Sequence, residues 1–364
     1  MTVYIDHTHL GRHVTGLERI TLELFSREAL APLDVTPVTA RGTGRMIATQ
    51  TFGLPLRLAD SSSILLCPGF PPSPLLKPFA ERVIPYIHDI FLLSRRADLN
   101  RRARLYMAPS FRLAVQNYPR FLVNSADTKR KLAAHCQTDA DITLYRPPVR
   151  NVFDLHPDSR TGQIEKARLR LVALGTVEPR KNFVAAARVL AALRERNFSN
   201  ITLEIVGRRG WGDDWDILEK SPGVILHGYQ SGERVRQILQ GADLFICTSH
   251  EEGLGLPLLE AQYAGLPIVA PDAAIFREVL GQSGILIDPI DPAGAASAIT
   301  AALSEPAWRT SFAARGAENL ARWNTLASSD RGAVIDLITA LSKRSPRAAR
   351  APAPHTPKKR SIAP

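Results

Sequence analysis

The sequence predicts an α/β protein made of two doubly wound domains facing a cleft. Its 364 residues exceed what one hydrophobic core usually organises, so two units of about 150–190 residues are expected. Short apolar runs alternate with amphipathic stretches along most of the chain, which is the pattern of parallel sheets covered on both faces. A single break, rich in proline and polar residues, divides that alternation into halves.

In the first half, Val3–Ile5, Ile64–Cys67, Val83–Ile87 and Phe121–Val123 read as buried strands. Leu17, Ile20 and Leu24 have the i, i+3, i+7 spacing of a helix. The break lies near Pro147–Lys166, where Pro147, Pro148 and Pro157 interrupt regular structure and residues 158–162 are polar. Alternation then resumes with Leu171–Leu174, Ile201–Val206, Val224–Leu226, Leu244–Cys247 and Ile268–Ala270. Two sheets in series imply two Rossmann-like domains, residues 1–150 and 151–340. Residues 341–364, rich in Pro, Ala and basic groups, are expected to be disordered.

Composition narrows the classes. Hydrophobic residues make up 45% and charged residues 22%, the balance of a folded globular protein. Aromatics are only 7%, which argues against an aromatic platform for sugars. Cys67, Cys136 and Cys247 form no disulfide pattern and fit a reducing compartment. The N-terminus opens into a strand-like run rather than a signal segment, and no apolar stretch approaches the ~18 residues of a membrane span. The expected location is cytoplasmic, with peripheral contact at the inner face of a membrane. The net charge of +11 is uneven: residues 1–150 carry +8, residues 151–340 carry −4 and the tail carries +7. Such basic surfaces suit anionic lipid or nucleic acid.

The densest motif is Ser249-His250-Glu251-Glu252-Gly253-Leu254-Gly255-Leu256-Pro257-Leu258-Leu259-Glu260-Ala261. It follows the strand Leu244–Cys247. Pro257 suits the first position of a helix that stops at Gly265. Glu260 is then expected in the first turn, its side chain leaning back toward Glu252. Two carboxylates, a glycine-lined approach and free backbone N–H groups converge there. N–H groups can hold phosphate or sugar oxygens, and carboxylates accept from ribose and hexose hydroxyls. Acids near a helix N-terminus also complement its dipole.

The second motif is Gly175-Thr176-Val177-Glu178-Pro179-Arg180-Lys181-Asn182, where a strand ends and the helix Phe183–Arg196 begins. Arg180 and Lys181 at a helix N-terminus oppose its dipole, at about 0.3–1 kcal/mol each. A bound diphosphate would supply the missing negative charge. Thr15-Gly16-Leu17-Glu18 opens the first helix with capping-box spacing, and Gly16 leaves the backbone accessible. His88-Asp89 follows a strand and faces the crevice where α/β sheets bind ligands.

Two further motifs suggest metals. Asp6-His7-Thr8-His9 resembles the His-x-His pair of metal-dependent hydrolases, but later-strand ligands and a barrel rhythm are missing. Asp214-Trp215-Asp216 has Asp-x-Asp form, yet it sits in a polar stretch read as a solvated loop.

Taken together these segments resemble the retaining family-four glycosyltransferases of GT-B fold, over about residues 1 to 325. Glu252 to Glu260 is similar to that family's E-x7-E motif, and Glu178–Asn182 to its E-P-R-K-N segment. Thr15-Gly16-Leu17-Glu18-Arg19 resembles its N-terminal glycine turn, and His88-Asp89 its H-D pair. Ile205-Val206-Gly207 and Ile225–Gly228 fall where the family has its V-G and H-G strand ends. The resemblance implies a donor site. Arg180 and Lys181 would neutralise the leaving diphosphate, and Glu260 would hold the ribose. Glu252 and the backbone of Gly253, Leu254, Gly255 and Leu256 would hold the sugar. Gly16 would donate to the phosphate from the opposite domain. His88 would contact the sugar and, with Glu252, carry the catalytic role. It also implies front-face attack without a protein nucleophile, no cofactor and no required metal. The loop from His9 to Thr15 is short, which leaves the acceptor open.

The donor expected is a nucleotide diphosphate sugar, GDP-mannose by resemblance to bacterial polysaccharide and lipopolysaccharide mannosyltransferases. The expected acceptor is a glycan or lipid-linked glycan. Arg95, Arg96, Arg101, Arg102 and Arg104, interleaved with Leu99, Leu105, Phe111 and Leu113, make a stretch able to rest on anionic headgroups or simply to face solvent. No nucleic-acid-reading element is recognisable. A non-catalytic nucleotide-sugar-binding protein, or a nucleotide-sugar epimerase, is the alternative.

Overall fold

A computed structural model describes residues 2–11, 16–95, 99, 103–157, 168–196, 198 and 200–343. Of the expected disordered tail, residues 341–343 are helical and 344–364 fall outside the described residues, as do Thr15, Arg96, Arg101 and Arg102.

The chain builds two six-stranded parallel sheets. The first contains β1 (Val3–Asp6), β2 (Val35–Val38), β3 (Ile64–Cys67), β4 (Val83–Ile87), β5 (Arg120–Val123) and β6 (Asp141–Leu144), in the order β2-β1-β3-β4-β5-β6. The second contains β7 (Arg168–Leu174), β8 (Asn200–Val206), β9 (Val224–Gly228), β10 (Leu244–Ile246), β11 (Ile268–Pro271) and β12 (Gly284–Ile287), in the order β12-β11-β10-β7-β8-β9. The expected fold class, two doubly wound Rossmann-like domains facing a cleft, is the observed one. Three strands not expected from the sequence, β2, β6 and β12, all lie at sheet edges. Edge strands are covered less completely, so their apolar signal is broken. Pro37 within β2 is tolerated for the same reason.

Helices connect the strands: α1 (Gly16–Leu24), α2 (Thr43–Ala48), α3 (Leu54–Arg57), α4 (Phe91–Ser94), α5 (Ala108–Asn117) and α6 (Ala126–Ala133) in the first domain. The second has α7 (Phe183–Arg194), α8 (Asp214–Glu219), α9 (Gly232–Gln240), α10 (Leu256–Gln262), α11 (Ala274–Leu280) and α12 (Pro292–Ser304). Open α/β sheets bind ligands beyond the strand ends where the strand order reverses. In the second sheet that point lies between β7 and β10, which pair through Leu171↔Leu244 and Val172↔Phe245. The two motifs read as a donor site are the loops leaving these two strands.

The last helix, α13 (Trp308–Lys343), ties the domains together. Its 36 residues span about 54 Å. Trp308 and Phe312 join the core beneath the second sheet. Further along, the Trp323 indole donates to the Pro147 carbonyl at 3.0 Å, and Asp330 pairs with Arg146 at 2.8 Å. Val334 and Ile338 are buried in a cluster that includes Val3, Ile5 and Tyr145 of the first domain. The end of this helix therefore packs on the first domain, although its sequence position belongs to the second.

Candidate functional site

The loop after β7 and the loop after β10 meet through charge. Lys181 Nζ lies 2.5 Å from Glu252 Oε1, and Arg180 Nη1 lies 3.3 Å from Glu252 Oε2. Ser249 Oγ donates to Glu252 Oε1 at 2.7 Å. Burial opposes ionisation of Glu252, but Lys181 and Arg180 outweigh it and hold the carboxyl below its usual range. Arg180 also pairs with Glu178 at 2.7 Å and lies over the Phe91 ring, 4.5 Å from its centroid. The charge needed to offset two cations at a helix start thus comes from Glu178 and Glu252. The expectation that it was missing from the chain is corrected.

Local geometry explains how these groups are held. Pro179–Lys181 form one 3₁₀ turn, and Asn182, at φ 50, turns the chain into α7. Thr248 Oγ1 donates to the Asn182 carbonyl at 2.7 Å, fastening one loop to the other. Lys181 crosses Gly175, where a Cβ would come within 3.3 Å of its Cε. Gly255, at φ +78, is the turn from which α10 starts. That helix begins at Leu256, with Pro257 as its second residue, so Glu260 sits in the second turn rather than the first. Leu254 and Leu256 are buried and anchor the loop in the core.

The first domain closes on this loop. A Cβ on Gly253 would lie 2.0 Å from the His88 carbonyl oxygen. The Gly253 carbonyl accepts from Ser125 Oγ at 3.0 Å. Lys131 and Ser94 reach Glu251 at 2.7 and 3.0 Å. The His88 ring lies edge-on to Tyr86 and its Nε2 is 2.7 Å from the Pro68 carbonyl. A carbonyl only accepts, so Nε2 carries the proton. Burial pushes the His88 pKa down to about 4, so the ring is neutral near pH 7. Next to it, burial pushes Asp89 up to about 6. With His88 neutral and Glu252 ionised, the pair is suited to hydrogen bonding at neutral pH.

Glu260 is the fourth expected charge, and it lies apart from the other three. Its carboxylate Oε1 pairs with Arg19 of α1, from the first domain. Burial pushes its pKa up to about 7, against the pull of Arg19. Gly16 is the exposed first residue of the same helix, and a Cβ there would meet nothing within 4 Å. Packing does not explain that glycine.

Other expected groups are placed elsewhere. The Asp6 carboxylate accepts from Thr8 N at 3.0 Å and Thr8 Oγ1 at 2.6 Å, and His9 Nε2 lies 3.1 Å from Thr21 Oγ1. Asp214 and Asp216 start α8 rather than lying in a loop, and Asp216 pairs with Arg209 at 2.7 Å. Among the described residues no cluster of three His, Cys, Asp or Glu could hold a metal ion. Arg104, Leu105 and Leu113 are exposed, but Phe111 is buried in the first domain's core and cannot join an outer apolar face. No helix among the described residues is long and apolar enough to cross a membrane. Sequence reasoning assigned no role to Glu178, Ser249, Lys131 or Arg19. Lys131 and Arg19 have partners in the other domain, whereas Glu178 and Ser249 bond to Arg180 and Glu252 within their own loops.

Two Rossmann-like domains with a charged site at the switch point of the second define the GT-B architecture. Residues 158–319 match the model of the family of glycosyl transferases group 1. Over 148 residues the chain is 34% identical to O-antigen chain mannosyltransferase B of Escherichia coli, covering 39% of each chain. Over 160 residues it is 32% identical to phosphatidyl-myo-inositol mannosyltransferase of Mycobacterium leprae, covering 42% of each. The similarity thus spans about two fifths of these relatives' lengths. Among solved structures, WaaG, a glycosyltransferase involved in lipopolysaccharide biosynthesis, superposes with a TM-score of 0.64 at 16% identity, over 93% of this chain and 100% of that one.

Proposed function

We propose that the protein is a retaining glycosyltransferase moving a hexose from a nucleotide diphosphate sugar to a glycan or lipid-linked acceptor in cell-surface polysaccharide synthesis. The observation that carries this reading is the meeting of Arg180, Lys181 and Glu252 at the switch point of the second sheet. Two partly exposed cations there can neutralise a diphosphate as its bond to the sugar breaks. Glu252, held ionised, accepts sugar hydroxyls, and neutral His88 adds a contact from the other domain. With no nucleophile-base pair in this reading, catalysis rests on positioning and charge stabilisation. The two cations serve in place of a divalent metal, and no cofactor is used. Gly16, Gly253, Leu254, Gly255 and Leu256 supply backbone contacts. Mannose from GDP-mannose is the favoured donor, because two similar relatives are mannosyltransferases. Those relatives also favour an acceptor presented at a membrane. The basic excess of the first domain would serve that contact from the cytoplasmic side.

The test is thermal stabilisation by GDP, UDP, ADP and their sugar conjugates, in the wild type and in Arg180→Ala/Lys181→Ala. A ligand at 100 times its Kd adds about 2.7 kcal/mol. Stabilisation by one nucleotide, lost in the variant, supports the donor site and names the base. No response to any nucleotide overturns the reading.

A further inference from the structure

Glu260 is 5% exposed and belongs to the second domain, yet its ion-pair partner among the described residues is Arg19 of the first. We propose that Arg19 is a positioning residue for donor binding: its guanidinium orients the Glu260 carboxylate and favours its charged form, so that recognition of the nucleoside's ribose needs both domains. The inference rests on the donor-site reading given above and adds a residue from the opposite domain to it.

The surroundings of Glu260 leave this work to Arg19. Besides Arg19, α1 presents Glu23, a like charge that disfavours ionisation and itself faces Arg150. Just past the end of α10 the nearby titratable group is the Tyr263 phenol, which donates to the Val149 carbonyl at 2.9 Å. Where α13 and the turn after α11 meet α10, the contact runs through Gln262 to Asn319 at 3.0 Å and Ser283 at 2.6 Å, both uncharged. The strand β11 brings only Ile268–Pro271. An ionised carboxylate accepts from two ribose hydroxyls with both oxygens, whereas the protonated acid is a weaker acceptor and has a donor to place. An opposite charge nearby lowers a carboxyl pKa by roughly 1–3 units. Burial already sets Glu260 at about 7 with Arg19 in place. Removing Arg19 takes away the pull that opposes burial and shifts Glu260 further toward the protonated form.

The experiment is calorimetric titration of GDP and UDP, and of the 2′-deoxy form of whichever binds, from pH 6 to 9. Wild type, Arg19→Gln, Arg19→Lys and Glu260→Gln are compared, with melting curves to show that each is folded. The expected result is about tenfold weaker binding in Arg19→Gln at pH 7, recovering as pH rises by roughly 1–3 units. Arg19→Lys should bind nearly as wild type. The wild-type preference for ribose over 2′-deoxyribose should shrink in both Arg19→Gln and Glu260→Gln. If Arg19→Gln binds as wild type at every pH, or loses affinity equally at every pH and for both sugars, the positioning role is overturned while the donor site stands. If wild type binds neither nucleotide, the donor-site reading falls and this inference falls with it.

Discussion

Gly253 sits against the His88 carbonyl oxygen so closely that a Cβ would lie 2.0 Å from it. These two residues belong to different domains, so the absent side chain is what lets the loop after β10 touch the first domain. Gly253→Ala should therefore hold the domains apart. Overpacking of this kind costs about 1–3 kcal/mol, and every 1.4 kcal/mol taken from transition-state binding is about tenfold in rate. We expect kcat/KM for sugar transfer to fall about tenfold or more, with a lowered Tm. Wild-type values of both would mean that the contact plays no part in turnover.

The Lys181–Glu252 pair predicts a coupled loss. Breaking a buried pair strands the remaining charge, at about 3–5 kcal/mol when nothing else compensates. Arg180 still reaches Glu252 at 3.3 Å, so Lys181→Met should cost less, about 1–3 kcal/mol. The double variant Lys181→Met/Glu252→Gln should lose less stability than the two single variants added together. Denaturant titration of the four proteins measures that difference directly.

Stability should carry a pH signature of Glu260. Its folded pKa of about 7 stands above the ordinary glutamate value of 4.5. Between these values the native state binds more protons than the unfolded state, so this group's contribution to stability falls as pH rises through the window. Asp89, raised from 3.8 to about 6, acts in the same sense at lower pH. His88, lowered from 6.5 to about 4, acts oppositely: the stability tied to its neutral ring is lost as pH falls through that range. Comparing wild type with Glu260→Gln cancels the last two. Urea melts at pH 5 and pH 8 should show wild type losing about 1–3 kcal/mol relative to the variant. An identical pH response in both proteins would remove Glu260 as the source.

Glu278 predicts a domain-docking effect separate from the donor site. Its carboxylate accepts from the Ala126 and Asp127 backbone N–H groups at 2.8 and 3.0 Å, at the start of α6, and pairs with Arg146 at 3.2 Å. An acidic cap supplied by the other domain should be worth about 1–2 kcal/mol. Glu278→Ala should lower Tm and speed proteolysis near residues 145–157, with nucleotide affinity within about twofold of wild type. Unchanged proteolysis would show that this cap does not hold the domains together.

Central strands were legible because they are covered on both faces and read as apolar runs, as in Ile64–Cys67 and Ile201–Val206. The edge strands Val35–Val38, Asp141–Leu144 and Gly284–Ile287 were not, since a partly exposed strand needs no such run. Pro257 marked the start of α10 to within one residue. That error still moved Glu260 from the first turn to the second. The donor loops were legible as motifs because glycine, proline and charge together at strand ends serve few other purposes. Their internal balance was not: the pairing of Arg180 and Lys181 with Glu252 depends on where two loops cross.

The sequence by itself determined the doubly wound fold and the location of the charged loops. Strand burial, helix periodicity and turn residues are local properties, written within a few residues of each other. Which charge faces which was decided only by the tertiary structure. Arg19 pairs with Glu260, Lys131 with Glu251 and Glu278 with the start of α6 because two separately folded domains dock in one orientation, tied by α13. That orientation comes from many contacts far apart in the chain, and no local pattern of residues encodes it.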